Sequence, residues 1–254
     1  MILHAQPGPP VYGFPALHGL SGFAHGIFGR RGGVSAGPYE SLNLGERVGD
    51  DPRAVAENRA RAAAALGGPV AFARQVHETG VLRVDGAPAG AAWECQGEAD
   101  ALVTDRRGVF LAVLLADCQG ILLADPVRRA VGAVHSGWRG SVANIAAKAV
   151  EAMAREYGCR PGDLAACVSP SLGPCCAQFV NYRDEIPETL WTYRREENRF
   201  DFWAMTTDQL SAAGLSRENI HLAGVCTKCR SGEFFSFRAA RPTGRFAAAI
   251  GMVP

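Results

Sequence analysis

Runs of apolar residues alternate along this chain with polar, glycine-rich and proline-rich stretches, and their lengths separate strands from helices. Residues 109–116 are apolar throughout, which is typical of a strand buried on both faces. Residues 120–124 and 130–134 are two further apolar runs joined by a polar turn, a pattern that predicts a hairpin. Apolar residues at helical spacing predict an amphipathic helix from 141 to about 157.

Capping residues predict both ends of a second helix. Asp51 precedes Pro52, which predicts a helix start, and Gly67 follows Leu66, which predicts its end. A third helix is predicted over residues 201–213. Short strands are predicted at 24–28, 70–76, 81–84, 99–104, 164–168, 220–225, 234–238 and 245–250.

Strands and helices mix to the end of the chain, which predicts an α/β fold with a single mixed sheet and flanking helices. Residues 1–13 are rich in proline and glycine and are expected to form a flexible N-terminal arm, with residues 14–254 as one catalytic domain. Residues 86–97 and 187–200 are expected to be loops at the surface.

Composition excludes several classes of protein. Among 254 residues, 48% are hydrophobic and 20% charged, which predicts a packed globule. Lys and Arg number 26 against 25 Asp and Glu, so the basic excess of a nucleic-acid or membrane-surface protein is missing. No apolar run approaches the roughly 20 residues that span a bilayer, and no signal peptide is recognisable. With eight cysteines and no export signal, a cytoplasmic location with mostly free thiols is expected.

Three residues far apart in the sequence have the chemistry of a catalytic metal site. His77, Cys118 and His135 supply two imidazoles and one thiolate, a ligand set that suits zinc with an open fourth position. Cys118 and His135 each follow a buried strand, so they can meet at one edge of a sheet. Asp117 can order a ligand or a metal-bound water. Two alternatives stay open: these are core residues, or Cys118 is a metal-free nucleophile with a histidine base.

Arginines and cysteines add further candidates. Arg30 begins a glycine-rich loop suited to an anion or, more simply, to an exposed turn. Arg139 is expected just before a helix N-terminus, which favours phosphate, and Trp138 either stacks on a base or lies in the core. Cys226 and Cys229 form half a zinc knuckle or a redox pair; the adjacent Cys175 and Cys176 have poor geometry for one metal, so structural thiols are favoured.

Several short motifs occur in a fixed order within residues 24–250. They are Gly32-Gly33-Val34-Ser35, Ser41-Leu42-Asn43-Leu44-Gly45, Gln75-Val76-His77, Ala116-Asp117-Cys118, His135-Ser136-Gly137-Trp138-Arg139-Gly140, Gly173-Pro174-Cys175-Cys176 and Cys226-x-x-Cys229 with Phe234-Phe235-Ser236. In this order they resemble the YfiH-type family, often called laccase-domain or polyphenol-oxidase-like proteins.

The resemblance implies a fold shared with bacterial toxin-type cysteine hydrolases, and a zinc ion held by His77, Cys118 and His135. It implies phosphorolysis of adenosine, inosine, guanosine and methylthioadenosine, together with adenosine deamination. The expected partners are therefore a purine nucleoside and phosphate, bound by a monomer or a homodimer.

Some residue roles follow from matching these motifs to the family, whereas the proton-carrying roles of Asp117 and Glu78 rest only on their adjacency to Cys118 and His77. Catalytic roles are expected for Cys118, His77, His135 and Asp117, with Glu78 as an alternative proton carrier. Substrate-binding roles are expected for Arg30, Asn43, Gln75, Gln119 and Arg139. Gln119 stands where the family usually has leucine, so it is a candidate contact to the base.

Two other activities remain as alternatives. A metal-free cysteine hydrolase or amidase that edits peptidoglycan precursors would use the same thiol. A copper-dependent polyphenol oxidase ranks lowest, because the chain has six histidines and no His-x-His pair, whereas a multicopper cluster needs many such pairs. Copper in place of zinc at the three-residue site stays open.

Overall fold

The computed structural model describes residues 1–4, 8–88, 90 and 92–253, which contain thirteen strands. In chain order these are β1 (Ile2–His4), β2 (Val11–Gly13), β3 (Phe23–Phe28), β4 (Val70–Arg74), β5 (Val81–Arg83), β6 (Trp93–Glu98), β7 (Ala101–Thr104), β8 (Phe110–Leu115), β9 (Gln119–Asp125), β10 (Ala130–Ser136), β11 (Ala165–Val168), β12 (Ile220–Leu222) and β13 (Phe246–Met252).

The strands form two mixed sheets rather than the single sheet expected. Seven strands are ordered β1-β2-β3-β13-β8-β4-β6 in one sheet, and six are ordered β12-β11-β9-β10-β7-β5 in the other. The continuously apolar strands β8 and β9 both contribute to one buried cluster, which also contains residues of β10 and β13. The sheets therefore pack against each other. An apolar run reports burial on both faces but not which strands share hydrogen bonds.

Six α-helices occur in the described residues. They are α1 (Pro15–His18), α2 (Pro52–Leu66), α3 (Trp138–Val142), α4 (Ile145–Tyr157), α5 (Tyr182–Glu185) and α6 (Phe202–Ala212). The bounds predicted for α2 are confirmed: Asp51 caps its start by accepting the N–H of Arg53, and Gly67 ends it in the left-handed conformation, with φ of 83°. Among the described residues, none of the helices combines the length and apolar character needed to cross a bilayer.

The hairpin predicted around residues 125–129 is confirmed as β9 and β10. Its antiparallel register runs from Ala130 opposite Asp125 to Ser136 opposite Gln119. Helix α4 packs its apolar face on the outer side of this hairpin. Cys118 and His135 therefore lie at the same end of these two central strands of the second sheet.

The helix predicted over residues 141–157 is interrupted. Asn144 adopts φ of 56°, and its side chain accepts the N–H of Ala147, so it caps a new helix rather than continuing the first. The result is a five-residue α3 followed by α4. Asparagine adopts the left-handed region more readily than most residues, and this backbone conformation at Asn144 ends α3 and allows α4 to begin.

Three other expectations about elements are wrong. The predicted flexible arm contains β1 and β2, which pair with each other, and β2 continues onto β3. The predicted loop at 86–97 contains most of β6, an edge strand parallel to β4. Residues 234–238 form turns and not a strand, with both Phe234 and Phe235 fully buried. In each of these segments, contacts with the rest of the fold determine the secondary structure more strongly than local composition does.

Candidate metal centre

The structure brings together the three candidate ligands His77, Cys118 and His135. His77 follows β4, Cys118 lies between β8 and β9, and His135 is within β10. Their donor atoms all lie within 4.8 Å of one another. Cys118 Sγ is 3.9 Å from His77 Nε2, and the two imidazole rings are nearly perpendicular with centroids 4.8 Å apart.

These distances fit a single tetrahedral ion. Bonds of about 2.1 Å to nitrogen and about 2.3 Å to sulfur place the two donors roughly 3.6 Å apart, close to the separation of 3.9 Å between Cys118 Sγ and His77 Nε2. Two nitrogens and a thiolate are also the donors that zinc prefers, and three protein ligands leave one position for water or substrate. The donor set therefore fits a catalytic zinc.

Asp100 holds both histidines, a role that the sequence analysis did not predict. Its carboxylate is 1% exposed and lies 2.7 Å from His135 Nδ1. It also accepts the backbone N–H groups of Val76, His77 and Glu78 at 2.8–3.2 Å. With Nδ1 facing Asp100, the Nε2 atom of His135 is left for a metal, which is the usual carboxylate–histidine arrangement at metal sites.

Electrostatics favour a charged centre. Burial raises the pKa of Cys118, but His135 and His77 more than offset this and lower it to about 6. Burial lowers the pKa of His135, yet Cys118 and Asp100 outweigh that effect and raise it to about 9. Without metal, the pair is therefore thiolate and imidazolium at neutral pH. A dication entering the site meets a thiolate that is already formed.

We expect iodoacetamide to alkylate Cys118 in metal-stripped protein with a half-maximal rate near pH 6, because the thiolate is the reactive form. Peptide mass spectrometry after timed reactions between about pH 5 and 9 measures this residue separately from the other thiols. Zinc added first should protect Cys118. A midpoint near the ordinary thiol value of about 8.5 would contradict the pairing with His135.

Two positions at the centre have unusual backbone conformations. His77 has φ of 62° and Asp117 has φ of 93°, and such non-glycine residues cost about 1–3 kcal/mol each. The N–H bond from His77 to Asp100 holds the first. The second is held by Asp117 itself, whose carboxylate accepts Thr227 Oγ1–H at 2.7 Å and the N–H of Arg238 at 2.6 Å.

Gly137 gives the ligands room. A Cβ atom there would lie 2.8 Å from His77 Cδ2 and 3.2 Å from Cys118 Sγ. The backbone φ of Gly137 is −73°, which any residue adopts, so the requirement for glycine at this position is steric. Lack of a side chain here keeps the imidazole and the sulfur in their observed places.

We expect Gly137→Ala to weaken zinc binding about 10–100-fold, the range typical for disturbed support of metal ligands, with little loss of stability. Competition with a coloured zinc chelator measures the affinity. Gly162→Ala is the matched control, because a Cβ atom there meets nothing within 4 Å. Equal affinity in wild type and Gly137→Ala would show that the ligands adjust freely.

Two cavities meet at the candidate ligands. One has a volume of about 510 Å³, and its lining includes Asp117, Gln119, Trp138, Arg139, Phe179, Arg238 and Arg241. The other has a volume of about 700 Å³, and its lining includes Arg47, Phe72, Arg74, Gln75, His135, Phe237 and Arg245. His77 and Cys118 line both. An ion at this centre would be reached from both sides.

Arg30 does not reach either cavity. Its Nε and Nη2 atoms donate to the carbonyl of Glu40, its Nη1 atom donates to the carbonyl of Ser231, and the guanidinium lies over the Phe235 ring. These contacts tie its glycine-rich loop to the segment around residue 231. The role expected for Arg30 in binding phosphate is therefore replaced by a structural one in this conformation.

The three predicted amide contacts are also committed to protein groups. Asn43 is fully buried, bonds Gly45 and the N–H of Arg245, and lines neither cavity. Gln75 lines the larger cavity but pairs through both amide atoms with the backbone of Leu114.

Gln119 lines the smaller cavity, yet it is 3% exposed and bonds the Phe202 carbonyl and Thr206. It therefore forms part of the cavity floor.

Arg139 is the predicted arginine that does line a cavity. It is exposed, its guanidinium lies 4.5 Å from the Trp138 ring centroid, and in the described part of the chain it forms no ion pair. Its expected place before a helix N-terminus is wrong, because it lies inside the short helix α3. Asp117 lines the same cavity, whereas Glu78 lines neither.

The sequence matches a family model described as multi-copper polyphenol oxidoreductase laccase over residues 24–253. A Streptomyces griseus protein named purine nucleoside phosphorylase ORF3 is 43% identical over 241 residues, covering 90% of this chain and 94% of the relative. A Deinococcus radiodurans protein named purine nucleoside phosphorylase is 40% identical over 257 residues, covering 97% and 94%.

Solved structures show the same fold. YlmD from Geobacillus stearothermophilus has a TM-score of 0.87 at 31% identity, covering 100% of this chain and 99% of that one. The hypothetical protein YfiH from Bacillus licheniformis also has a TM-score of 0.87, at 30% identity and 98% coverage of both chains. The mixed α/β architecture expected from the sequence is confirmed by both.

Proposed function

Because this chain belongs to the family described as multi-copper polyphenol oxidoreductase laccase, with close relatives named purine nucleoside phosphorylase, we propose that it is a zinc-dependent purine nucleoside phosphorylase. The proposed substrates are adenosine, inosine, guanosine and methylthioadenosine, and adenosine deamination is a proposed second activity. The observation that carries the proposal is the convergence of His77, Cys118 and His135 between two cavities.

His77, Cys118 and His135 would hold the metal ion, with Asp100 fixing the orientation of His135. The chemistry a zinc ion supplies at such a site is Lewis-acid stabilisation and a bound water with a pKa of about 7. Asp100 and the strands already place the Cys118 thiolate and the Nε2 atom of His135 as donors, and metal binding would displace the proton that the raised pKa of His135 keeps on its ring.

Phosphorolysis breaks the bond from the ribose C1′ to the purine nitrogen, forms a bond from C1′ to a phosphate oxygen, and leaves a proton on the purine. The lining of the smaller cavity includes Arg139, Arg238 and Arg241 against the acidic Asp117 and Glu185, and guanidinium groups are suited to binding phosphate. Trp138 and Phe179 in the same lining offer aromatic faces for a purine. For deamination, Asp117 is the proposed proton carrier, since this residue lines the cavity and Glu78 does not.

The decisive experiment is an assay with inosine and phosphate on protein of known metal content. We expect hypoxanthine and ribose 1-phosphate in amounts that depend on both phosphate and bound zinc, and loss of turnover after chelation that zinc restores. Adenosine without phosphate tests deamination in the same preparation. Full turnover by metal-free protein would refute the zinc proposal.

We expect Arg139→Ala to raise the KM for phosphate about tenfold, which corresponds to ~1.4 kcal/mol and matches the loss of one charged hydrogen bond. The KM for inosine should change much less. Initial rates with each substrate varied in turn measure both constants, and Arg155→Ala on the exposed face of α4 is the control. Equal changes in both constants would show that Arg139 is structural.

A metal-free cysteine hydrolase is the second candidate. In this arrangement His135 contacts both Cys118 and Asp100. Cys118 would be the nucleophile, His135 the base and Asp100 the carboxylate that orients the base, as covalent catalysis requires. This alternative predicts inactivation by thiol reagents that chelators do not reproduce.

Polyphenol oxidation is less well supported. A multicopper cluster needs many histidines, whereas the chain has six and the centre contains two. The cytoplasmic location and the monomeric or dimeric state remain predictions.

A further inference from the structure

Four cysteines outside the candidate active centre converge on one point. Cys175, Cys176, Cys226 and Cys229 are free thiols, and their sulfur atoms all lie within 4.8 Å of one another. We propose that they bind one Zn²⁺ ion as a structural tetrathiolate site, in addition to the ion at His77, Cys118 and His135. The sequence had separated these residues into two unrelated pairs.

The sulfur separations match a metal rather than disulfides. Cys229 Sγ is 3.7 Å from Cys175 Sγ and 3.6 Å from Cys176 Sγ. A tetrahedral ion with Zn–S bonds of about 2.3 Å places its sulfurs roughly 3.8 Å apart, whereas a disulfide requires about 2.05 Å. Neither of these separations is an S–S bond, and one sulfur at nearly equal distances from two others suits thiolates around a shared ion.

Turns in the backbone allow each pair to face inwards. The N–H of Cys176 donates to the carbonyl of Gly173 at 2.9 Å, and the N–H of Arg230 donates to the carbonyl of Cys226 at 3.0 Å. Both pairs therefore lie in tight turns, and this resolves the poor geometry expected of adjacent cysteines. The Cys226-x-x-Cys229 pair has the spacing usual in structural zinc sites, and the turn that contains Cys175 and Cys176 supplies the other two thiols.

Backbone hydrogen bonds join the two turns. The N–H of Ser171 donates to the carbonyl of Val225 at 3.1 Å, and the N–H of Thr227 donates to the carbonyl of Ser171 at 3.0 Å. Gly173 permits this approach, because a Cβ atom there would lie 3.0 Å from Cys226 Cβ and 2.8 Å from the Trp203 ring. The protein thus brings the two segments together before any ion is considered, as a preformed site requires.

The proposed site would brace the candidate active centre. Thr227, between the two cysteines of one turn, donates its hydroxyl to Asp117, and the N–H of Leu172 donates to the Asp117 carbonyl at 2.8 Å. Asp117 directly precedes Cys118 and has φ of 93°. A metal that locks both turns would therefore help to hold this strained residue, with no part in the reaction itself.

Native mass spectrometry and metal analysis of the whole protein test the proposal. We expect two Zn²⁺ ions per chain in wild type, one in Cys229→Ser, one in His135→Ala and two in the control Cys95→Ser. Loss of one ion in Cys229→Ser must leave the ion at His77, Cys118 and His135 in place, so the result is independent of the proposed enzymatic activity.

Two results would overturn the proposal even if Cys229→Ser failed to fold. One is a single bound Zn²⁺ in wild type, after dialysis against a slight excess of zinc, that is lost in His135→Ala, because that ion would belong to the centre of His77, Cys118 and His135. The other is an intact mass lower by four hydrogens, which would reveal two disulfides. Cobalt substitution gives a third readout, because four thiolates around Co²⁺ produce strong charge-transfer absorption that the three-residue centre, with one thiolate, produces only weakly.

Discussion

Cys118→Ala should lower inosine phosphorolysis by more than about 100-fold and remove the ion from the candidate active centre. Replacing a group that merely supports a ligand costs about 10–100-fold, so removal of the one thiolate at the centre must cost more. The fold should survive, because Cys118 lies in the connection between β8 and β9 and is only half-buried. Steady-state rates, metal analysis and thermal unfolding measure the three effects separately.

Cys159→Ala is the control for this variant, since Cys159 is buried in the cluster beneath α4 and away from the centre. It should keep both metal and turnover. Comparable turnover in Cys118→Ala and wild type would exclude a thiolate ligand and equally a thiol nucleophile. Loss of turnover with full retention of both metal ions would favour the nucleophile instead.

Asp100→Asn should weaken zinc binding about 10–100-fold and lower the free energy of unfolding by about 3 kcal/mol, as expected when a buried charged pair is broken. The carboxylate of Asp100 accepts hydrogen bonds from His135 Nδ1–H and from the N–H groups of residues 76–78. An asparagine amide has only one acceptor oxygen and no negative charge, so it cannot make all of these bonds with the same strength. The orientation of His135 and the backbone of His77 would then both relax.

The pH dependence of stability gives an independent check on Asp100. Burial raises the pKa of Asp100, but hydrogen bonds and charge from His135, with the N–H groups of Glu78 and His77, lower it overall. A carboxyl group whose pKa is lower in the folded than in the unfolded protein stabilises the fold at pH values above the unfolded pKa of about 3.9. That stabilisation disappears as the pH falls through the folded pKa. The free energies of unfolding of metal-free wild type and Asp100→Asn, measured with denaturant, should therefore differ at neutral pH and become equal in acid. A constant difference across pH would contradict this role.

Local signals in the sequence predicted local structure well. Asp51 and Gly67 fix the ends of α2 through hydrogen bonds to near neighbours, and apolar runs around a short turn fix the hairpin of β9 and β10. The α3–α4 break was missed because Asn144 reads as an ordinary helical position until its φ of 56° is seen.

Long-range contacts explain what the sequence could not show. Asp100 lies in no motif, and only its pairing with residues 76–78 and His135 reveals its role; its one visible signal is an acidic residue directly before an apolar strand. The ligands themselves were found from residue type and placement after strands. The side chains of Arg30 and Asn43 bond protein groups in this structure, because a motif does not record whether a side chain faces a ligand or the backbone.

The β9–β10 hairpin affects the order in which the three candidate metal ligands come together during folding. Cys118 and His135 lie at its two ends, and the register that places His135 opposite Gly120 depends only on residues near in sequence. Such local pairing is fast, whereas His77 must wait for β4 to join β8 and β6 in parallel, a slower event that closes a longer loop. If a metal ion binds at this centre, the hairpin would offer it two donors before the third arrives.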